Sequence, residues 1–96
     1  MTLTVEIESD FPLKDVSEVI RSALKQDERI AKYKLKRYSQ ICENFEKKYE
    51  MDSDRFMEEF EAGELGDDDD FFDWFAAKRG FDIWNKKLQI LSGIRI

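Results

Sequence analysis

The chain has 96 residues, of which 40% are charged and 14% aromatic, and its net charge is −6. This length predicts one domain, residues 1–96, with a limited core of its own, and the aromatic content is too high for a disordered tail. Four glycines and one proline favour long regular elements over a loop-rich β fold. No signal-peptide pattern and no apolar run of membrane-spanning length occurs, and the single cysteine suits a reducing compartment. These features predict a cytoplasmic protein that does not enter a membrane.

The residue types restrict the chemistry that the chain can perform. The absence of histidine removes imidazole bases, serine–histidine and cysteine–histidine nucleophile pairs, and histidine metal ligands. No glycine-rich phosphate loop and no cysteine pair occurs either. Asp67, Asp68, Asp70 and Asp73 could hold Mg²⁺ or Ca²⁺, but they lack the alternation and the distal glutamate of a calcium loop. We predict a non-enzymatic protein without a cofactor or metal, with a carboxylate-metal protein as an alternative.

Charge is unevenly distributed along the chain. Residues 1–49 carry ten basic and nine acidic side chains, and residues 50–73 carry twelve acidic side chains against one arginine. Residues 74–96 carry five basic side chains against one aspartate. An acidic middle between basic flanks has three interpretations. The acidic residues bind a basic surface of a partner, the basic flanks of the same chain fold over them, or they are simply solvated.

The N-terminal residues 1–12 are predicted to form a β-strand and a turn. Leu3, Val5 and Ile7 alternate with polar neighbours, which is typical of a half-buried strand. A lone strand cannot pair its own backbone groups, so it needs the same strand of a second subunit or residues 94–96. Pro12 then suits the first turn of a helix.

Residues 13–50 are predicted to form one long helix with a coiled-coil type of seam. The seam consists of Leu13, Val16, Ile20, Ala23, Ala31, Leu35, Tyr38, Cys42, Phe45 and Tyr49. Asp27 interrupts it where an apolar residue is due, and Cys42 is predicted to be buried and unreactive. So long a helix cannot bury its seam alone, so we expect a partner helix from this chain or another.

One face of this helix is basic, which favours a nucleic-acid contact as a second hypothesis for function. The residues that would make the contact are Arg29, Lys32, Lys36 and Arg37. Residues 17–24, which follow the predicted strand, resemble the second helix of ribbon–helix–helix DNA-binding proteins. Too few residues separate Ile7 from Ser17 for the first helix of that family.

Residues 52–62 are predicted to form a short helix that Asp52 or Ser53 caps and Gly63 ends. Residues 63–69 form an acidic turn, whose carboxylates meet the free amide groups at the start of the last helix, residues 70–92. Six residues at this turn are predicted to bind a partner protein, and they are Glu64, Leu65, Asp67, Asp68, Asp70 and Phe71. Leu65 and Phe71 are predicted to be the apolar anchors of this contact.

The last helix has an unbroken apolar seam with alternating three- and four-residue steps. Its members are Trp74, Ala77, Phe81, Trp84, Leu88 and Leu91. Four further residues are predicted to widen this face, so that the helix touches more than one neighbour, and they are Phe72, Phe75, Ile83 and Ile90. Gly80 marks either a close helix crossing or a break.

Residues 42–91 resemble the small antitoxins of prokaryotic toxin–antitoxin gene pairs, of the TumA-like kind that is paired with TumE-like toxins. The resemblance lies in Phe45, Lys48-Tyr49 and Met51, then Phe56 and Phe60, the run Gly-Glu-Leu-Gly-Asp-Asp at residues 63–68, and the aromatic last helix. It implies a non-catalytic protein that binds and masks a toxin. Glu50 stands where the family often has glycine, which favours a first helix that runs on before Met51.

Together these features predict a mainly α fold, in which an N-terminal β-strand, a long helix, a short helix and a long C-terminal helix form a helical hairpin that dimerises. The function predicted first is a toxin-neutralising protein-binding module. The alternatives are a DNA-binding, autoregulatory protein that uses the strand and the basic helix, and the carboxylate-metal protein.

Overall fold

The structure is a computed structural model that describes residues 2–96, so that Met1, the first residue of the predicted strand, lies outside the described part. It contains three helices, α1 (Leu13–Tyr49), α2 (Ser53–Glu61) and α3 (Asp69–Ser92). α1 and α3 pack against each other in opposite directions, since Tyr49 lies beside Phe71 and Asp27 lies beside Lys87. The predicted mainly helical fold with two long packed helices is confirmed.

α1 is continuous through Asp27, the residue that interrupts its apolar seam. The Asp27 carboxylate lies 3.1 Å from Lys87 Nζ on α3, and the same ammonium lies 4.7 Å from the centre of the Trp84 ring. A charge in the seam is therefore paired across the two helices. This ion pair takes the place of an apolar contact near the far end of the hairpin.

The core is an aromatic cluster at the end of the molecule where α1 ends and α3 begins. The ring of Trp74 is fully buried and stacks on Phe56 of α2, with ring centres 3.9 Å apart and planes 7° apart. Phe45 and Tyr49 of α1 stack on the same indole at 5.7 and 5.9 Å. Cys42 and Ala77 complete the buried set. Full burial of one such aromatic side chain contributes ~1.5–3 kcal/mol, so this cluster dominates the stability of the fold.

α2 is held by polar contacts as well as by its aromatic side. Trp74 Nε1 donates to the Ser53 hydroxyl at 2.9 Å inside the core. The backbone N–H of Ser53 donates to the Glu46 carboxylate of α1 at 2.8 Å, and Asp52 caps the helix by accepting from Arg55 N at 2.8 Å. A nine-residue helix is marginal by itself, so these contacts with α1 and α3 are what maintain it.

Gly80 marks a close approach of the two long helices, because α3 runs through it without a break. A Cβ atom at this position would lie only 2.8 Å from the Tyr38 ring. The missing side chain lets the ring lie directly on the α3 backbone.

The predicted N-terminal strand is not present in the single chain. Residues 2–9 have no regular secondary structure, and Leu3 is 87% and Val5 66% exposed. The other predicted partner, residues 94–96, does not pair with them, since the carbonyl of Ile96 accepts from Arg21 Nη2 at 2.9 Å instead. Without a neighbouring strand, the alternating pattern has no backbone partner among residues 2–96.

The first helix ends one residue earlier than its predicted limit. Glu50 adopts the left-handed conformation, with φ of 51°, and its N–H donates to the Glu46 carbonyl. The helix was predicted to run on before Met51, through Glu50, but its last helical residue is Tyr49. Glu50 closes the helix with the backbone conformation that glycine usually supplies.

The molecule is elongated, with principal extents of 58 × 25 × 19 Å and a radius of gyration of 18.9 Å. A compact domain of this length has a radius of gyration of about 12–13 Å. The long axis follows α1, and α3 covers only part of it. Much apolar surface of this chain therefore remains exposed.

Candidate functional site

Residues 62–68, which we call the acidic connector, join α2 to α3. The connector leaves α2 through Gly63, whose φ is 73°, and the Glu64 N–H donates to the Glu59 carbonyl at 3.0 Å. It enters α3 through Asp68, whose carboxylate accepts from Asp70 N at 2.9 Å and caps the helix. Both ends of the connector are thus fixed by backbone hydrogen bonds.

Asp70 is bound by two groups from the end of α1. Its Oδ2 atom accepts from Lys48 Nζ at 2.6 Å and from the Tyr49 hydroxyl at 2.7 Å. The hydrogen bond from Lys48, and then that from Tyr49, holds the pKa of Asp70 below its usual range. The hydrogen bond to Asp70 raises the pKa of Lys48 and that of Tyr49. This three-residue clamp ties the first turn of α3 to α1.

The six residues predicted to bind a partner divide into two groups. Leu65 and Phe71 are half-buried and pack against the aromatic core, with the Phe71 ring 5.2 Å from that of Tyr49. Asp70 is half-buried in the clamp. Glu64, Asp67 and Asp68 are exposed to solvent. The first group holds the connector in place, whereas the second presents carboxylates at the surface.

The outer face of α3 carries an apolar stripe whose residues were predicted to lie on the inner face. Phe72, Ile83 and Ile90, which we call the outer stripe, are 51%, 59% and 57% exposed. At 100° per residue they lie about 160–180° around the helix from Trp74. They therefore do not widen the inner face as predicted, although Phe75 does pack against the core. The helical angle relative to Trp74 is the sequence signal that would have revealed this.

Phe72 connects the outer stripe to the acidic connector. Its ring meets that of Phe60 edge-on, with centres 5.6 Å apart, so that one side is supported while the other faces solvent. Ile83 and Ile90 extend the stripe for about 27 Å along α3 at ~1.5 Å per residue. The outer side of α3 thus carries three exposed apolar side chains, of which Phe72 lies next to the acidic connector.

The basic residues predicted to contact nucleic acid lie together on the side of α1 that faces away from α3. Arg29, Lys32, Lys36 and Arg37 are all exposed. Lys32 lies 3.7 Å from Glu28, and within residues 2–96 the other three make no ion pair. The acidic connector does not fold over them. Its neighbour Asp70 pairs instead with Lys48, 12 residues farther along α1 than Lys36.

A shallow cleft between the three helices contains the thiol of Cys42 beside Ser53 and Lys78. Burial raises the pKa of Cys42, which keeps the thiol protonated and weakly nucleophilic. Burial by itself would lower the pKa of Lys78, but hydrogen bonds to Asp82 and Asp54 outweigh it, so that the pKa is raised. The ammonium is thus committed to an ion-pair network. The cleft offers structural groups rather than a nucleophile with its base.

No metal site is formed by the carboxylates of the connector. Across residues 2–96, no three or more acidic or thiol side chains converge on a position that could hold a metal ion. Asp68 and Asp70 already use carboxylate oxygens as a helix cap and in the clamp. None of the three helices in this part of the chain is long and apolar enough to cross a membrane.

The clamp predicts a specific dependence of stability on pH. Because the folded-state pKa of Asp70 is lowered, its contribution is complete above the unfolded value of about 3.9 and is lost as the pH falls through the folded value. Asp70→Asn should therefore lower the thermal midpoint at pH 7, and this difference from the wild type should shrink below about pH 4. Circular dichroism melts from pH 7 to pH 2.5 measure it.

Asp69→Asn is the matched control, because Asp69 is exposed in the same turn and makes no ion pair within residues 2–96. Its effect should be smaller at pH 7. An Asp70→Asn difference that stays constant down to pH 2.5, or that Asp69→Asn reproduces, would show that the clamp does not contribute to stability.

Comparison with known proteins gives no match for this chain. No family model matches it, and no curated protein and no solved structure does so. What the site does is therefore inferred from its own residues and geometry.

Proposed function

We propose that this chain is a non-enzymatic, cytoplasmic protein-binding module, an antitoxin that binds and masks a partner toxin. The outer stripe is the observation that carries the proposal. Phe72, Ile83 and Ile90 are large apolar side chains on one side of α3, and each is more than half exposed. Such a stripe is what a partner protein recognises when a helix lies in its apolar groove.

The acidic connector defines the charge of this partner. Glu64, Asp67 and Asp68 project carboxylates from a segment that is fixed at both ends, so little ordering entropy is lost when they are bound. A basic rim beside the partner's groove would be attracted to them. Exposed charges are too weakly coupled to hold a complex, so they accelerate encounter while the outer stripe supplies the affinity.

The resemblance to TumA-like antitoxins supports masking of a toxin as the biological purpose. Its most specific part, residues 63–68, coincides with the acidic connector, where the surface carboxylates lie. The role of Leu65 and Phe71 in this proposal is indirect. They support the connector from the core side, and Phe72 replaces them as the apolar anchor beside it.

We also propose that the protein acts as a homodimer. α1 extends beyond α3 at its N-terminal end, where Leu13 of the seam is 72% exposed and Val19 beside the seam is 69% exposed. The apolar surface of α1 thus continues past the end of its intramolecular partner. A second copy would bury the exposed apolar residues at the start of α1, at the opposite end of the molecule from the acidic connector.

A nucleic-acid contact by α1 is the second candidate function, and the unpaired basic residues favour it. The binding constant for DNA falls as salt rises, and the steepness of log binding constant against log salt is about 0.9 for each phosphate contact. Arg29→Ala with Lys36→Ala should therefore reduce that slope by roughly two for a duplex from the gene's own promoter. Lys14→Ala with Lys86→Ala, an equal change of charge elsewhere, should leave it unchanged. Equal effects of both pairs would exclude this face.

The primary proposal is tested by co-expressing this chain with the neighbouring reading frame and measuring binding kinetics with the protein that co-purifies. Ile83→Ala removes an apolar anchor and should raise the dissociation rate about tenfold, a loss of ~1.4 kcal/mol. Glu64→Gln with Asp67→Asn should lower the association rate at low salt, about threefold to tenfold, and weaken its salt dependence.

Tyr33→Ala is the matched control for the apolar anchor, because Tyr33 is 62% exposed but lies on the outer side of α1. It should change neither rate. Asp15→Asn with Glu18→Gln gives the control of equal charge at the other end of the molecule. If Ile83→Ala and Tyr33→Ala behave alike while circular dichroism shows both folded, the outer stripe is not the binding surface.

A further inference from the structure

The end of the molecule where α1 begins carries most of its exposed large apolar side chains. They are Leu3, Val5, Ile7, Phe11, Leu13, Val19, Ile94 and Ile96. The bond from Arg21 to the carbonyl of Ile96 places the last residue of the chain beside the third turn of α1. The first two turns of α1 therefore extend beyond the C-terminus. No helix of this chain covers them.

Residues 2–8 precede α1 at this end and have no backbone partner among residues 2–96. Among residues 2–96, none of their N–H or carbonyl groups makes a backbone hydrogen bond, and every one of the seven residues is exposed. Beside them, Phe11, Val16, Val19 and Ile20 line a shallow apolar groove on α1. A strand-forming segment and an uncovered helix face are thus adjacent.

We propose that residues 2–8 of two copies pair antiparallel about Val5 to form a two-stranded ribbon, whose apolar face covers the first turns of α1 of both copies. The proposal rests on the homodimer proposed above and specifies its interface. In this register the Val5 residues of the two copies lie opposite each other, and Leu3 lies opposite Ile7 of the partner subunit. All six apolar side chains then lie on one side of the ribbon, because successive residues of a strand point to opposite faces.

The polar side chains of the same segment select this register. Pairing about Val5 sets Thr4 opposite Glu6 and Thr2 opposite Glu8, so that no two carboxylates meet. A shift by one residue, to pairing about Glu6, would place two Glu6 carboxylates face to face, which is destabilising. A shift to pairing about Thr4 would leave Glu8 outside the ribbon. Pairing about Val5 matches all of residues 2–8 with one another.

The apolar area at this end suits a dimer interface. With ~60–120 Å² for each fully exposed apolar side chain, the exposed fractions of the eight residues amount to on the order of 500 Å² per copy. A standard interface buries ~800 Å² per partner, of which about 57% is apolar. A two-stranded ribbon is marginal alone, so its packing on α1 is necessary for stability.

A second copy fits this end better than the sheet edge of an unrelated protein. The segment is complementary to itself in both its apolar and its polar positions, and a two-fold axis through Val5 brings two uncovered α1 ends under the same ribbon. The outer stripe and the acidic connector stay free in such a dimer. The two surfaces of the chain thus serve two different partners.

Single cysteines in a Cys42→Ala background test the register in the whole protein under oxidised glutathione. Directly opposite residues of antiparallel strands have Cα atoms about 4.5–5.5 Å apart, within the range that a disulfide bridges. Val5→Cys should therefore form covalent dimers at least about tenfold faster than Leu3→Cys or Ile7→Cys. In this register the two Leu3 Cα atoms of the dimer, and likewise the two Ile7 Cα atoms, lie about 14 Å apart. A mixture of Leu3→Cys and Ile7→Cys chains with different tags should cross-link as heterodimers.

Each other outcome overturns the inference in a distinct way. Equal self-cross-linking of Leu3→Cys and Val5→Cys would show parallel or unspecific pairing. Absence of cross-links, with light scattering still giving a dimer mass, would place the interface elsewhere and leave the proposed dimer standing. A monomer mass at tens of micromolar would remove both the ribbon and the dimer.

Discussion

The structure depends on the burial of Trp74 between three helices. Its ring is stacked on Phe56 from α2 and on Phe45 from α1, and its indole N–H reaches Ser53 at the start of α2. An indole that is fully buried needs a partner for its N–H, so the aromatic stacking and the position of Ser53 constrain each other. The Glu46 carboxylate then fixes Ser53 from the α1 side. One side chain thereby determines where α2 and the acidic connector lie.

The rigid end of the molecule explains why its surfaces can be assigned to partners. Because the core uses the inner face of α3, Phe72, Ile83 and Ile90 are left on the outer face, where each is more than half exposed. The connector is held by helix caps and by the Asp70 clamp, so its carboxylates are presented in a fixed place. At the other end of the molecule, α1 extends beyond the end of α3. The unequal lengths of the two long helices thus leave a second apolar surface, well separated from the first.

Much of the fold follows from the sequence, and the exceptions have physical causes. The two long helices, the Asp52 cap and the buried Cys42 were predictable because periodicity and capping are local properties. The strand was not, because alternation indicates a strand only when another strand is available to pair with it. Phe72, Ile83 and Ile90 were predicted to widen the inner face, although their helical angles oppose that of Trp74. The Asp70 clamp and the exposure of the basic face depend on which turns of α1 and α3 meet, and spacing within one helix does not contain that information.

Native-state hydrogen exchange of α2 is the most direct test of the central role of Trp74. A nine-residue helix alone would exchange almost as fast as an unfolded peptide. If Trp74, Phe56 and Ser53 join the three helices into one cooperative unit, the amides of Phe56 to Phe60 should exchange with the same opening free energy as those around Ala77 in α3, namely that of global unfolding. Exchange of the α2 amides at a much lower free energy, while those of α1 and α3 stay protected, would show that α2 detaches independently and would contradict this account.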